Sequence, residues 1–296
     1  MKKRVAAASA APKARKRRGR FGEVMHRLSK NTPAMIALCF VVLLILSAVF
    51  APLLAPYDYA KQSLGDKFLM PSLTHPLGTD NFGRDILSRL LVGGRISLLV
   101  SVMAVAISVS GALIIGAAVG YFGGLLDSII MRILDVFMAI PGMLLTIVFA
   151  VALGDTLVDT ALAIALTSIP ALARQLRAST LLIRDEEYIE AAKSFGSSHW
   201  RIIWKHVIPN TLAPVIVQIS MRLGEAILAI SGMSILGLGV QPPTPEWGNI
   251  LASGQKYIRT FWPLITFPGI LIGLAMLAFN LLGDGLRDAM DPRLKR

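Results

Sequence analysis

The run AMIALCFVVLLILSAVFAPLL, from Ala34 to Leu54, decides the class of this protein. Thirteen of its residues are Leu, Ile, Val or Phe, each contributing roughly −0.3 to −0.6 kcal/mol to membrane insertion, so the sum favours a spanning helix. A cleaved signal peptide would have an apolar core of only about 7–15 residues followed by a small-residue cleavage site. Here the core is longer and Pro52 and Pro56 follow it, so the run reads as a retained anchor. The whole chain agrees. Of its 296 residues 54% are hydrophobic and 16% charged, with a mean hydropathy of +0.64, where a soluble domain carries about 25% charged residues.

Five further spans have the roughly 17–25 apolar residues a bilayer demands: Ile96–Val119, Ile133–Leu153, Leu157–Ala173, Leu212–Leu236 and Trp262–Leu282. The fourth span of the chain, starting at Leu157, is the weakest, being short with Asp159 near one end and Pro170 near the other. Lys and Arg set the orientation, because cytoplasmic segments retain positive charge during insertion. Residues 1–33 hold 11 Lys and Arg against one acid, Glu23. With six spans, both termini and the long basic loop from Arg174 fall inside. The stretch from Ala55 to Arg95 falls outside despite Lys61, Lys67, Arg84, Arg89 and Arg95, with four nearby aspartates in balance. The organisation is therefore a basic cytoplasmic tail (1–33), an anchor helix (34–54), an extracytoplasmic loop (55–95), a five-helix core (96–284) containing a cytoplasmic loop (174–210), and a cytoplasmic C-terminal tail (285–296).

Outside the tail the net charge is only +2 of the total +12, so a nucleic-acid partner is not expected. The tail reads as a disordered topology signal held near anionic lipid. Cys39 has no partner and four scattered histidines build no metal site. No bound metal or cofactor is expected in this chain.

Gly116, Gly120 and Gly124 repeat at four-residue spacing, leaving a helix face on which a neighbouring backbone packs closely. Two charge pairs lie three residues apart within spans, Arg132 with Asp135 and Arg222 with Glu225. A charge in mid-bilayer must face protein or water, so each pair either holds helices together or lines a substrate path. Pro141-Gly142 and Pro268-Gly269 are each expected as a static kink or a gate hinge.

The loop after Arg174 is organised. IRDEEYIEAAKSFG (Ile183 to Gly196) opens with acids suited to a helix N-terminus and closes on a glycine suited to a left-handed cap. SSHWRIIWKHVIP follows, with Trp200, Ile203, Trp204 and Val207 at helical spacing before Pro209, which is expected to end the unit. Two short helices joined by a tight turn are predicted. An amphipathic hairpin on lipid headgroups would suit the tryptophans, but the small Ala191-Ala192 pair suits close approach of another protein's groove.

This loop resembles the EAA motif of the permease subunits of bacterial ABC importers, whose pattern is EAA, three residues, Gly, nine residues, I-x-L-P. Glu190, Ala191, Ala192, Gly196, Ile208 and Pro209 occupy motif positions, while His206 departs from the first apolar position of the closing element and Ile208 replaces Leu. With Asn210 the ending is similar to that of the peptide-transporter branch. HPLGTDNFGRDILSRLLVGGRISL (His75 to Leu98) and SILGLGVQPPTPEWGNIL (Ser234 to Leu251) are similar to segments of the second permease of dipeptide, oligopeptide, glutathione and nickel importers.

The resemblance covers nearly all of the chain after its tail. It implies an all-α polytopic membrane protein with the type I ABC importer permease fold: six transmembrane helices forming half of a transporter. It also implies a homologous second permease as heterodimer partner, two ABC ATPase subunits carrying the ATP and Mg, and an extracytoplasmic substrate-binding protein. Peptide is the favoured cargo, with nickel or glutathione as alternatives. No G-x-x-x-x-G-K-[ST] phosphate loop occurs in the chain, so ATP hydrolysis is expected on another subunit and this one is read as non-catalytic. Pro242, Pro243, Glu246 and Trp247 are expected to form a stiff scaffold over the pore mouth or a dock for the binding protein. An ATP-independent secondary transporter is the rival class, since it too shows broken helices and intramembrane charges.

Overall fold

The computed structural model describes residues 20–290 and is built from helices joined by loops. The basic tail up to residue 19 and the last six residues, Arg293, Lys295 and Arg296 among them, lie outside the described residues. Helix α1 (Arg20–Leu28) leads into the anchor α2 (Thr32–Val49), whose N-terminus is capped by the Asn31 side chain accepting from the amide of Ala34 at 3.2 Å. The short α3 (Ala51–Leu54) follows.

Helix α4 (Ile86–Phe122) has 37 residues, roughly 55 Å at 1.5 Å per residue and well beyond the ~30 Å hydrocarbon layer. It begins ten residues before the expected span, because Asp85 caps it, accepting from the amide and hydroxyl of Ser88 at 2.8 and 2.7 Å. The segment expected outside thus shortens to 55–85. Asp80 in that segment holds Arg84 at 2.7 Å and Arg89 at 3.6 Å, and Asp85 meets His75 at 2.9 Å. Arg84 and Arg89 thus share one carboxylate, which offsets one of their two charges.

The expected third span is not one helix. It consists of α5 (Gly124–Ala139) and α6 (Gly142–Leu153), bent by 96° at Ile140–Pro141. The residue before a proline is driven out of helical conformation, and Ile140 is extended, with ψ 133°. Pro268, by contrast, sits inside the continuous α12 (Pro263–Met290).

The expected weak span is a 28-residue helix, α7 (Leu157–Arg184). Asp159 near its start is the reciprocal partner of Thr156 in a capping box, so its charge serves the helix end. The chain then runs through α8 (Glu187–Ser194) and α9 (His199–Ile202) into α10 (Ile208–Ile235), then α11 (Trp247–Gly254) and α12. Five helices are long and apolar enough to cross a membrane, and the bent α5–α6 pair makes six.

The glycine face packs α4 on α7. A Cβ on Gly116 would lie 2.7 Å from the carbonyl oxygen of Ala173, and one on Gly120 would lie 2.7 Å from the Cβ of Thr180. Gly124 faces open space and takes no part. Two apolar clusters fill the bundle, one joining α2, α12 and the start of α4, the other joining α4, α7 and α10. A third seats the 185–207 loop against the far end of α4.

Candidate functional site

The expected coupling residues lie on a compact unit exposed at one end of the bundle. Helix α8 closes in a Schellman arrangement: the Ser197 amide donates to the Ala192 carbonyl at 3.1 Å and the Gly196 amide to that of Lys193 at 2.9 Å. Gly196 sits at φ +72° with open space where a Cβ would go, so the constraint there is backbone conformation. Glu190 and Ala191 are exposed, and Ala192 is half-buried. Phe195, which the sequence reading overlooked, is 88% exposed beside them. Ile189, Ile202, Ile203 and Val207 form the inner face, against Ala117 and Tyr121 of α4.

The second half of the loop corrects two expectations. Pro209 does not end the unit, since α9 passes through a π-turn (Ile203–Val207) straight into α10, where Pro209 occupies the first turn. Pro209 removes one donor from the ladder at the point where the π-turn hands over to α10, and the Ile208 amide before it still donates to the Ile203 carbonyl. The wider π-turn also splits the expected face, burying Ile203 and Val207 and leaving Trp200 and Trp204 more than half exposed. Ile208 is buried, and half-buried His206 accepts from the Asn210 amide through its carbonyl at 2.7 Å.

A joint fastens this unit to the bundle. Tyr121 Oη lies 2.9 Å from His199 Nδ1, Lys193 Nζ stands 5.6 Å over the Tyr121 ring, and Phe122 packs edge-on against His199 and Trp200. The one signal for it in the sequence is the aromatic pair closing a long apolar run just before Gly123.

The intramembrane charges separate into two kinds. Asp135 pairs with Arg174 of α7 and not with Arg132, which is exposed. Helix α7 offers Asp135 a basic partner alongside. Asp127 and Arg177 make a second cross-link between the same helices in a bidentate pair, with both contacts at 2.5 Å. These two pairs tie α5 to α7.

Arg222 and Glu225 do pair as expected, at 2.8 Å, but within α10, so they tie no helices together. A charge at the centre of a span costs roughly 2.5–3.5 kcal/mol to insert, and an i,i+3 pair returns only about 0.2–0.5 kcal/mol. The Arg222–Glu225 pair borders a cavity of about 130 Å³ walled by Ser108 of α4, Thr146 of α6, and Thr167 and Ser168 of α7. A second cavity of about 270 Å³ lies nearer α8 between α4, α7 and α10, with Gln175, Ser179 and Gln218 in its wall.

At the opposite end, Glu246 is fully buried and caps α11. Its carboxylate accepts from Ser97 Oγ and the Gly248 amide, both at 2.9 Å, and from Ser234 Oγ and the Asn249 amide at 2.7 and 2.9 Å. The buried Trp247 donates its indole N–H to the Leu90 carbonyl at 2.9 Å. Glu246 and Trp247 therefore staple α4, α10 and α11 together and offer no docking surface. Pro242 and Pro243 remain exposed.

Comparison with known proteins places this geometry. Residues 112–296 match the family of binding-protein-dependent transport system inner membrane components, and residues 19–71 match the N-terminal transmembrane domain of oligopeptide transport permease C. The dipeptide transport system permease protein DppC of Alkalihalophilus pseudofirmus is 42% identical, across 92% of this chain and 90% of its own. The di/tripeptide permease DppC of Pseudomonas aeruginosa is 40% identical over 92% of both chains. The glutathione permease GsiD of Escherichia coli is 43% identical, over 92% of this chain and 90% of its own. A chain of the MetNI methionine ABC transporter in an inward-facing form shares the fold, with a TM-score of 0.54 and 18% identity over 69% of this chain and 97% of that one. Six apolar spans around a loop bearing the EAA pattern, matched along nearly the whole chain, place this protein among the binding-protein-dependent transport system inner membrane components, as a multi-span permease subunit of an ABC importer.

Proposed function

We propose that this chain is one of two permease halves in an ATP-driven importer of dipeptides. Its partners are a homologous permease, two ATPases holding ATP and Mg, and an extracytoplasmic binding protein that delivers cargo. The termini and the 185–207 loop are cytoplasmic, and segments 55–85 and 236–262 face outward. This chain binds no nucleotide, and its part is mechanical.

The observation that carries this reading is the loop itself: exposed Glu190, Ala191 and Phe195 on a helix whose other face is clamped to α4, with unbroken helical chain leading into α10. Closure of the ATPases pushes on α8. The Tyr121–His199 joint passes the displacement to α4, and the π-turn passes it to α10, which carries Arg222 and Glu225. The break at Ile140–Pro141 is where α5, tied to α7 by two ion pairs, and α6, packed along α7, change their mutual angle. Cargo biases that equilibrium only through different contacts in the two arrangements.

Dipeptide is favoured because permeases named for dipeptides and di/tripeptides match along the full length. Glutathione, itself a peptide, is the second reading, resting on the 43% identical glutathione permease. The test is uptake by the complete importer in proteoliposomes with ATP inside, offering labelled dipeptide against glutathione and nickel competitors. ATP-dependent dipeptide uptake that glutathione and nickel fail to suppress is expected. Uptake indifferent to dipeptide and blocked by nickel would overturn the cargo assignment.

A further inference from the structure

Of the three ion pairs described within the spans, two cross between α5 and α7, and Arg222–Glu225 alone stays on one helix. It stands at a cavity whose remaining polar wall is made of hydroxyls. Ser108 donates to the Val105 carbonyl at 3.1 Å, Thr146 to that of Gly142 at 2.8 Å, and Thr167 and Ser168 to that of Ile164 at 2.8 and 2.9 Å. With their protons committed to helix carbonyls, these hydroxyls present lone pairs to the cavity. The Thr146 and Thr167 hydroxyls lie 3.2 Å apart, Thr146 sharing its one proton between this contact and the Gly142 carbonyl. The wall is thus rich in acceptors, with one half-exposed carboxylate and one guanidinium beside it.

A lone cation in this cavity would leave Arg222 without its partner, and a lone anion would strand Glu225. A molecule carrying both an ammonium and a carboxylate satisfies both and keeps the site neutral whether empty or loaded, as suits a site on a membrane-spanning helix. We infer that the Arg222–Glu225 pair and its hydroxyl wall form a transit subsite for a zwitterionic cargo. Glu225 and the hydroxyls take the free ammonium, Arg222 takes the carboxylate, and the pair opens to admit the molecule and recloses behind it. Thr146 stands one turn from the α5–α6 break, so movement of α6 would change the cavity's width. This inference rests on the importer reading above.

The test uses the complete importer in proteoliposomes with labelled L-alanyl-L-alanine, comparing wild type, Glu225→Gln and the double variant Arg222→Leu/Glu225→Leu. The same binding protein serves all three, so its own preferences cancel. Removing both charges together strands neither, so the double variant is expected to melt no lower than wild type. Its uptake is nonetheless expected to fall at least about tenfold, the effect of losing charge-assisted contacts to the cargo. Uptake by the double variant within about twofold of wild type would make the pair a dispensable wall and overturn the inference. Should the double variant not assemble, Glu225→Gln decides by the same two thresholds. Failure of wild type to take up the dipeptide with ATP and loaded binding protein would instead sink the importer reading, and the inference with it.

Discussion

Tyr121 and His199 stand 78 positions apart and meet in a 2.9 Å hydrogen bond that fastens the exposed 185–207 loop to the longest helix. The bond sits at the end of α4, on the route by which the proposed coupling passes from loop to spans. Tyr121→Phe keeps the ring contacts with Phe122 and Lys193 and removes only the hydroxyl. The loss is about 1 kcal/mol, or roughly fivefold in an equilibrium. ATP-driven uptake is expected to drop severalfold with membrane insertion intact, measured as cargo moved per ATP hydrolysed. An unchanged ratio would remove this joint from the coupling path.

Gly196→Val tests the turn. A non-glycine residue at φ +72° costs about 1–2 kcal/mol, and branching at Cβ adds to it, although no neighbour obstructs the side chain. The variant is expected to insert at normal levels and to lose ATP-dependent uptake. Normal uptake at normal expression would refute the coupling role of the loop.

Gly116→Val addresses packing alone. The new side chain meets the Ala173 carbonyl and Leu176 Cβ, backbone and side-chain root that cannot yield cheaply. Loss of folded protein in the membrane is expected, read by fluorescence-detected size exclusion. Gly124→Val, facing open space at φ +59°, is expected to pay only the backbone cost and to assemble better.

Glu246→Ala would strand four buried donors, each worth roughly 1–3 kcal/mol when left unpaired. The purified complex is expected to melt at least about 5 °C lower, since in a chain of this size each kcal/mol shifts Tm by a few degrees. An unchanged melting temperature would mean that the staple between α4, α10 and α11 holds without it.

Much of this was legible in the chain. Apolar runs marked the crossings, the glycine spacing marked the α4–α7 contact, and the Glu190–Gly196 pattern marked the exposed helix with its left-handed cap. What escaped were features that depend on partners distant in sequence. Asp135 looked matched to Arg132 because local spacing is visible, while Arg174 lies 39 positions away. Glu246, between prolines and a tryptophan, read as part of a scaffold or dock over the pore mouth, because nothing nearby announces that Ser97 and Ser234 converge on it. The π-turn added a residue to the helical register and so moved Trp200 and Trp204 off the face that simple periodicity assigned them. Pro141 signalled a disturbance, but the 96° angle is set by how α6 packs on α7.

The most direct measurement is purification of this protein from its native membrane in mild detergent, with mass-spectrometric identification and stoichiometry of what stays bound. One homologous permease and two P-loop ATPases per copy of this chain are expected, held by the loop that carries Glu190 and Gly196. Recovery of this chain alone, with full uptake after reconstitution in the absence of ATP, would contradict the coupling assignment and make the protein a self-sufficient secondary transporter.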